Sequence, residues 1–217
     1  STISIHVSQF FRNPEVFQLL ETAILPDLCR QVRAAGRDCL RLWSAGCAGG
    51  EETYSLALLL DELNPSGLKI DILGTDISQR VLHMAREGVY GEASFRSTDP
   101  QQKARFFTEH EGKWRVKDEV RSLVSISHLN LFDSSRIALL GKMDLIFCRN
   151  VIIYFDQAGK KSVIENFFQR LVPDGFLLLG HSESLINLST LFQLRHFQHD
   201  MVYQKPLTPI QSGRGLL

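Results

Sequence analysis

Hydrophobic and polar positions alternate along most of the chain in two kinds of block. Short apolar runs, typical of buried strands, occur at residues 40–45, 70–75, 123–130, 143–148 and 176–180. Longer stretches with apolar residues three or four apart, typical of helices, occur at residues 14–35, from residue 51 onward, at 78–88 and at 156–172. Strands that alternate with helices predict an α/β fold with a mostly parallel sheet covered on both faces. Residues 173–175, PDG, predict a turn into the strand at 176–180, and residues 192–197 and 201–205 predict a closing antiparallel pair.

Two parts of the chain interrupt this alternation. Residues 90–121 are polar with scattered aromatic residues, and they predict an insertion made of a short helix followed by a small hairpin. Residues 206–217, PLTPIQSGRGLL, contain turn formers and few apolar residues, which predicts a flexible tail or linker. We therefore expect one domain over residues 1–205, with the insertion at about 90–121.

The turn after the first predicted strand carries the strongest chemical signal. Residues 40–55, LRLWSAGCAGGEETYS, predict a strand, a glycine-rich turn and the start of a helix, an arrangement that brings backbone close to a ligand. Asp76 ends the next strand, where a carboxylate can accept hydrogen bonds from both hydroxyls of a ribose. For this segment alone, a surface turn whose acids stabilise a helix dipole explains the pattern equally well.

The acidic character of the turn restricts the ligand. Glu51 and Glu52 would repel a diphosphate at the helix N-terminus, and the segment lacks both the G-x-G-x-x-G fingerprint and a P-loop lysine. A cationic or neutral cofactor with an adenosine end, such as S-adenosylmethionine, fits better.

Polar residues follow several of the predicted strands. In parallel sheets ligands bind at the carboxyl ends of the strands, so we expect these residues to share one crevice. They are Glu52, Asp76, Asn130, Arg149, Asn150 and His181. Asp76 could also cap the helix that follows it, and Tyr154, between apolar neighbours, could belong to the core. His181 is better explained as a packed histidine than as a general base.

Composition narrows the function classes. The 217 residues, 44% of them hydrophobic, suffice for one domain with a sizeable core. The 24 basic and 24 acidic residues cancel, and no apolar run approaches the roughly 20 residues of a membrane span, so we expect neither nucleic-acid binding nor membrane insertion. Four cysteines without a C-x-x-C pair predict neither a metal site nor disulfides, as expected for a cytoplasmic protein.

The motifs together resemble those of the CheR-type chemotaxis receptor methyltransferases. In that family's order, they are SQFFRNPEVF (8–17), WSAGCAGGEETYSLA (43–57), TDIS (75–78), NLF (130–132), FCRNVIIYF (147–155) and GHSES (180–184). Any one motif alone would be weak, but FFR-x-P, CRNVxIYF and GHSES together are highly specific. The resemblance implies a Rossmann-like class I methyltransferase fold. It also implies methyl transfer from S-adenosylmethionine to glutamate side chains of bacterial chemoreceptors, with S-adenosylhomocysteine as product.

The resemblance also implies roles for individual residues. Arg12 and Tyr154 fall beside the transferred methyl group. Cofactor-binding positions fall on His6, Ser8, Arg12, Glu52, Asp76, Asn130, Leu131, Arg149 and Asn150. His6 and Ser8 replace an asparagine and a threonine that are usual in the family, and only Ser8 keeps the hydrogen-bonding group. Thr53 replaces the proline of the usual GEEPYS, and NLF replaces NLL, which changes the packing around the adenine.

The partner implied by the resemblance is the cytoplasmic helical region of a chemoreceptor. Family members usually carry a helical docking domain before FFR, whereas seven residues precede Ser8 here, so we expect a catalytic core cut from a larger protein. Some members bind a receptor's C-terminal pentapeptide through the insertion. Glu109 and Glu111 would repel the peptide carboxylate, although Lys113 and Arg115 are near, so we expect no such tether.

Two other function classes remain open at this point. One is a module that senses S-adenosylmethionine or S-adenosylhomocysteine without transferring a methyl group, although Arg12 and Tyr154 are both present. The other is a nicotinamide-dependent oxidoreductase, against which the acidic glycine turn counts.

Overall fold

The structure is a computed structural model that describes residues 8–63, 65, 67–197 and 200–207. His6 and residues 208–217 of the predicted tail therefore lie outside the described residues. No helix in the described ranges is long and apolar enough to cross a membrane.

The first helical stretch agrees with the prediction except in its middle turn. Helix α1 covers Pro14–Leu19, a π-helical turn covers Leu20–Ile24, and α2 covers Leu25–Ala34. Pro26 lies at the start of α2 and has no N–H to donate to the preceding turn. The missing bond explains why the helix widens there instead of continuing regularly.

The remaining elements follow the predicted alternation. In chain order they are β1 Cys39–Ala45, α3 Glu51–Leu63, β2 Lys69–Asp76, α4 Gln79–Glu87, β3 Val89–Tyr90, a 3₁₀ turn Glu92–Phe95, α5 Pro100–Phe106, β4 Phe107–His110, β5 Lys113–Val116, α6 Asp118–Arg121, β6 Val124–His128, α7 Ser134–Leu139, β7 Met143–Cys148, a 3₁₀ turn Ile152–Tyr154, α8 Gln157–Arg170, β8 Leu171–Leu179, β9 Gln193–His196 and β10 Met201–Gln204.

The central sheet has the strand order β6-β2-β1-β7-β8-β10-β9. The first five strands are parallel, and β10 and β9 close the sheet in antiparallel fashion, which confirms the Rossmann-like prediction and the closing pair. From β1 the chain runs first toward β2 and β6 and later toward β7 and β8. The order reverses between β1 and β7, and such a switch point leaves a crevice beyond the carboxyl ends of the two strands.

Two buried apolar clusters cover the faces of this sheet. Because side chains alternate across a strand, Leu42 of β1 joins one cluster and Trp43 joins the other. Trp43 is fully buried, packs edge-on against Phe167 of α8, and donates its indole N–H to the Thr75 hydroxyl at 2.9 Å. The core thus fixes β1 and β2, whose ends carry the glycine turn and Asp76.

The insertion contains the predicted helix and hairpin. Helix α5 leads into the β4–β5 hairpin, whose two turn residues, Glu111 and Gly112, have φ of 49° and 73°. Positive φ at both positions is typical of the tight type I′ turn. Strand β5 also pairs with β3 to give a second sheet, β3-β5-β4, which the sequence did not predict because a two-residue strand leaves no periodic signal.

The prediction of a turn at residues 173–175 was wrong. These residues lie inside β8, where the pairing with β7 shifts register and Asp174 adopts φ of 61°. The Asp174 N–H donates to the carbonyl of Lys205, and the Lys205 N–H donates to that of Gly175. A bulge held by the closing strand therefore replaces the expected turn.

Candidate active site

A cavity of about 430 Å³ opens beyond the carboxyl ends of β1 and β7. Its lining includes residues of the glycine turn after β1, of the segment before α1 and of the loop after β7. Among the site residues predicted from the sequence, it brings together Ser8, Arg12, Glu52, Arg149, Asn150 and Tyr154. This volume is in the usual range of cofactor pockets.

Asp76 lies next to the cavity and supports its wall. One carboxylate oxygen accepts the N–H of Ala48, which lines the cavity, at 3.0 Å, and the other accepts the N–H of Ser78 at 2.9 Å. Asp76 therefore connects the glycine turn to the start of α4. Each oxygen keeps a further lone pair that can accept a hydrogen bond from a ligand.

Asn130, Leu131 and His181 do not line the cavity. Asn130 accepts the N–H of Phe132 through its side-chain oxygen, and Leu131 is buried with its carbonyl bonded to Asn166. His181 is exposed, so the packed-histidine interpretation was wrong. The cavity therefore brings together fewer of the strand-end residues than the sequence predicted.

The glycine turn packs against the loop after β7. Gly46 has φ of 75°, and a Cβ at that position would overlap the side chain of Val151. Ala48 also has a positive φ, 45°, which is costly for a residue with a side chain. The turn is thus held in a strained shape between Asp76 on one side and Val151 on the other.

The buried guanidinium of Arg149 and the half-buried carboxyl group of Glu52 both line the cavity. Arg149 is 6% exposed; its Nη1 donates weakly to the Arg12 carbonyl at 3.5 Å, and its Nε has no hydrogen-bond partner among the described residues. Burial raises the pKa of Glu52 to about 8, while Arg149 and Arg12 oppose that rise. Because unpaired buried charge is costly, these two groups are suited to a ligand that carries both a carboxylate and an ammonium.

The segment that carries Arg12 is held by the insertion. Phe10 is fully buried, and its ring centre lies 4.9, 5.1 and 4.9 Å from those of Tyr90, Phe95 and Phe107. Its N–H donates to the carbonyl of Ser94 at 2.8 Å. Sequence reasoning missed this role of the insertion, although its scattered aromatic residues were the available signal.

The insertion also contacts the glycine turn directly. The Tyr90 hydroxyl donates to the carbonyl of Gly49 at 2.7 Å, and the Ser94 hydroxyl lies 3.3 Å from the buried Glu51 carboxyl. Burial raises the pKa of Glu51, and hydrogen bonds from Ser8 and Ser94 oppose that rise. Ser8, which lines the cavity, therefore lies close enough to Glu51, the first residue of α3, to influence its charge.

Comparison with known proteins identifies the family. Residues 6–201 match the family model described as CheR methyltransferase, SAM binding domain. The chain belongs to the CheR methyltransferase family. The matched part is the domain that binds S-adenosylmethionine. The amino-acid end of that cofactor carries an ammonium and a carboxylate, which Glu52 and Arg149 can accommodate. The glycine turn and Asp76 offer groups that suit its ribose.

Relatives of this CheR domain include three chemotaxis protein methyltransferases. That of Borreliella burgdorferi is 38% identical over 84% of this chain and 66% of its own length. One of Pseudomonas aeruginosa is 37% identical over 90% of this chain and 72% of its own. One of Vibrio cholerae is 32% identical over 95% of this chain and 72% of its own.

Tyr154 of the CheR domain lies at the mouth of the cavity. It ends the 3₁₀ turn Ile152–Tyr154 and is 73% exposed, so the alternative that it belongs to the core was wrong. Its neighbour Ile152, 1% exposed, takes the core position instead. The phenol is therefore free to meet a group that approaches from solution.

Proposed function

We propose that this domain transfers a methyl group from S-adenosylmethionine to glutamate side chains in the cytoplasmic helical region of bacterial chemoreceptors. The products would be glutamate methyl esters and S-adenosylhomocysteine, and the reaction would take place in the cytoplasm. The observation that carries the proposal is that Arg12 and the exposed Tyr154 line the same cavity as the Glu52–Arg149 pair. The names of the relatives support a role in chemotaxis.

Each end of the cofactor has a candidate partner. We assign its ammonium to Glu52 and its carboxylate to Arg149, whose Nε is buried without a partner in the described part of the chain. We assign the ribose hydroxyls to Asp76, which keeps acceptor capacity on both oxygens. Asn130 and Leu131, which do not line the cavity, are assigned to the adenine on the resemblance alone, and Ser8 and Asn150 complete the cavity wall.

The acceptor needs orientation more than activation. A glutamate has a pKa of about 4.3 and is already a nucleophile at neutral pH. The bound cofactor supplies a methyl group on a sulfonium, which needs no further activation. Arg12 and Tyr154 then hold the acceptor carboxylate in line for attack, and such alignment can lower the activation barrier by up to about 7–11 kcal/mol. Arg12 is half-buried, and a tight ion pair there would weaken the nucleophile, so we assign it a hydrogen-bonding role.

The β4–β5 hairpin is not assigned a tethering role. Glu109 and Glu111 are both exposed on it, which disfavours a peptide carboxylate. The absence of a receptor-tail tether stays a prediction.

We expect Tyr154→Phe to slow methyl transfer by about a hundred-fold, the usual cost of a misplaced reacting group. The assay follows radiolabelled methyl transfer from S-adenosylmethionine to cytoplasmic fragments of bacterial chemoreceptors. Affinity for S-adenosylhomocysteine should stay unchanged, because the hydroxyl orients the acceptor and does not hold the cofactor.

His181→Ala is the control, since His181 is exposed and does not line the cavity. Unchanged turnover of Tyr154→Phe would refute the orienting role. Tight binding of S-adenosylhomocysteine by the parent chain without methyl transfer to any receptor fragment would favour the sensor module over the enzyme.

We expect binding of S-adenosylhomocysteine at pH 7 to release about one proton from the protein, because Glu52, with its pKa raised to about 8, ionises when it meets the ligand's ammonium. Calorimetry in buffers with different ionisation enthalpies measures this release. Glu52→Gln should remove it and weaken binding, whereas Glu165→Gln on α8, outside the cavity, should leave both unchanged. Equal proton release by the parent chain and Glu52→Gln would contradict the assignment.

A further inference from the structure

We propose that Glu183, in the GHSES segment, is a positioning residue that holds the loop after β7 in the geometry that binds the cofactor. The inference deepens the proposed function, because it concerns the same cavity. Glu183 does not line that cavity and acts through the backbone of residues that do.

The Glu183 carboxylate accepts hydrogen bonds from backbone groups of two loops. It is 7% exposed. Its Oε2 accepts the N–H groups of Gly180 at 2.7 Å and Asn150 at 2.9 Å, and its Oε1 accepts those of Val151 at 2.8 Å and Ile153 at 3.3 Å. One side chain therefore joins the end of β8 to the loop after β7.

The bonded loop carries the chemistry of the site. It contains Arg149 and Asn150 and leads into the 3₁₀ turn that ends at Tyr154. Asn150 has φ of 60°, a left-handed conformation that a residue other than glycine holds only when its surroundings fix it. Bonds from the carboxylate to Asn150 and to the next residue, Val151, provide that fixation.

The same bonds reach the glycine turn. Val151 packs against Gly46, where a Cβ would overlap it, so the position of the Val151 backbone sets how closely the two walls of the cavity approach. Glu183 thus fixes one wall, and Asp76 fixes the other through Ala48.

The spacing within GHSES follows from this geometry. The Glu183 N–H donates to the Gly180 carbonyl at 2.9 Å, which turns the carboxylate back toward the end of β8. A Cβ on Gly180 would lie 2.8 Å from the Glu183 Oε2 and 3.1 Å from the Asn150 nitrogen, so only glycine leaves room for the bond. Ser182, between them, lines the cavity.

An amide cannot replace this carboxylate. A glutamine of the same length has one acceptor oxygen, and its NH₂ group would face backbone donors. The negative charge of Glu183 also acts on Glu52. It raises the pKa of Glu52, although burial, Arg149 and Arg12 each affect that pKa more strongly. Glu183→Gln therefore removes loop bonds and charge while keeping the volume.

The test compares Glu183→Gln with Asp144→Asn. Asp144 is a matched control, because it is buried, follows Met143 at the opposite end of β7, and accepts bonds from the Arg41 N–H at 2.9 Å and from Arg37 at 2.6 Å. For each variant we would measure the dissociation constant of S-adenosylhomocysteine, thermal unfolding, and amide hydrogen exchange of Asn150 and Val151.

We expect Glu183→Gln to bind S-adenosylhomocysteine about ten- to a hundred-fold more weakly, since the loop would be in the competent geometry for only a fraction of the time. Exchange at Asn150 and Val151 should accelerate while the protein stays folded. Asp144→Asn should lower the unfolding temperature without weakening S-adenosylhomocysteine binding or accelerating exchange at Asn150 and Val151. Should Glu183→Gln fail to fold, Gly180→Ala, which displaces the carboxylate without removing it, should show the same weaker binding.

Parent-like affinity in folded Glu183→Gln or Gly180→Ala would overturn the proposal. So would equal loss of affinity in Asp144→Asn, which would make the role of Glu183 purely structural. These measurements need no receptor, so they test the role of Glu183 even if glutamate is not the methyl acceptor. Failure of the parent chain to bind S-adenosylhomocysteine would instead overturn the cofactor site itself, and Glu183 with it.

Discussion

Replacing Phe10 by alanine is expected to lower the free energy of unfolding by about 3–5 kcal/mol, the usual cost of emptying a buried phenylalanine site. Phe10 is fully buried and packs against Tyr90, Phe95 and Phe107. The insertion forms one side of this cluster and cannot close the gap without moving β3 and β4, which carry Tyr90 and Phe107. Denaturant unfolding would measure the loss.

The same variant should also bind S-adenosylhomocysteine more weakly at temperatures where it stays folded. Phe10 anchors the segment in which Phe11 and Asn13 have φ of 50° and 60°, and Arg12 lies between them. Phe132→Ala is the control for stability, since that ring is 46% exposed and its removal should cost roughly 1 kcal/mol. Equal destabilisation by the two variants would contradict the anchoring role.

The centre of the sheet could be predicted because its middle strands are buried on both faces. Strand β7 is buried at every position, and β1 pairs with parallel strands on both sides, so each leaves an apolar run in the sequence. Short or locally distorted elements leave no such signal. Strand β3 has two residues, and the bulge around Asp174 depends on bonds to Lys205, far along the chain.

The site could be predicted in part for a similar reason. Glu52, Arg149 and Asn150 follow strands or the glycine turn, and the topology of a parallel sheet brings such positions together. Arg12 and Tyr154 follow no predicted strand and were found through the resemblance. The bond between Glu183 and Asn150 spans 33 residues, and the bond of Phe10 to Ser94 also joins distant parts of the chain, so no local spacing indicates them.

Replacing Asp76 by alanine is expected to weaken binding of S-adenosylhomocysteine by about 1–3 kcal/mol, or roughly five- to a hundred-and-fifty-fold. Two losses contribute. The ribose hydroxyls lose an acceptor, and the Ala48 N–H loses its partner, which releases the strained glycine turn. Calorimetric titration measures the total.

A 2′,3′-dideoxy analogue of S-adenosylhomocysteine separates the two losses. If Asp76 accepts bonds from the ribose, removing the hydroxyls should weaken binding to the parent chain and have little further effect in Asp76→Ala, as a double-mutant cycle would show. Asp133→Ala is the matched control. Asp133 caps α7 by accepting the Arg136 N–H at 3.0 Å, so its loss should reduce stability by about 0.5–2 kcal/mol and leave affinity unchanged. If removing the hydroxyls weakens binding equally in the parent chain and in Asp76→Ala, Asp76 does not bind the ribose and serves only to hold the turn.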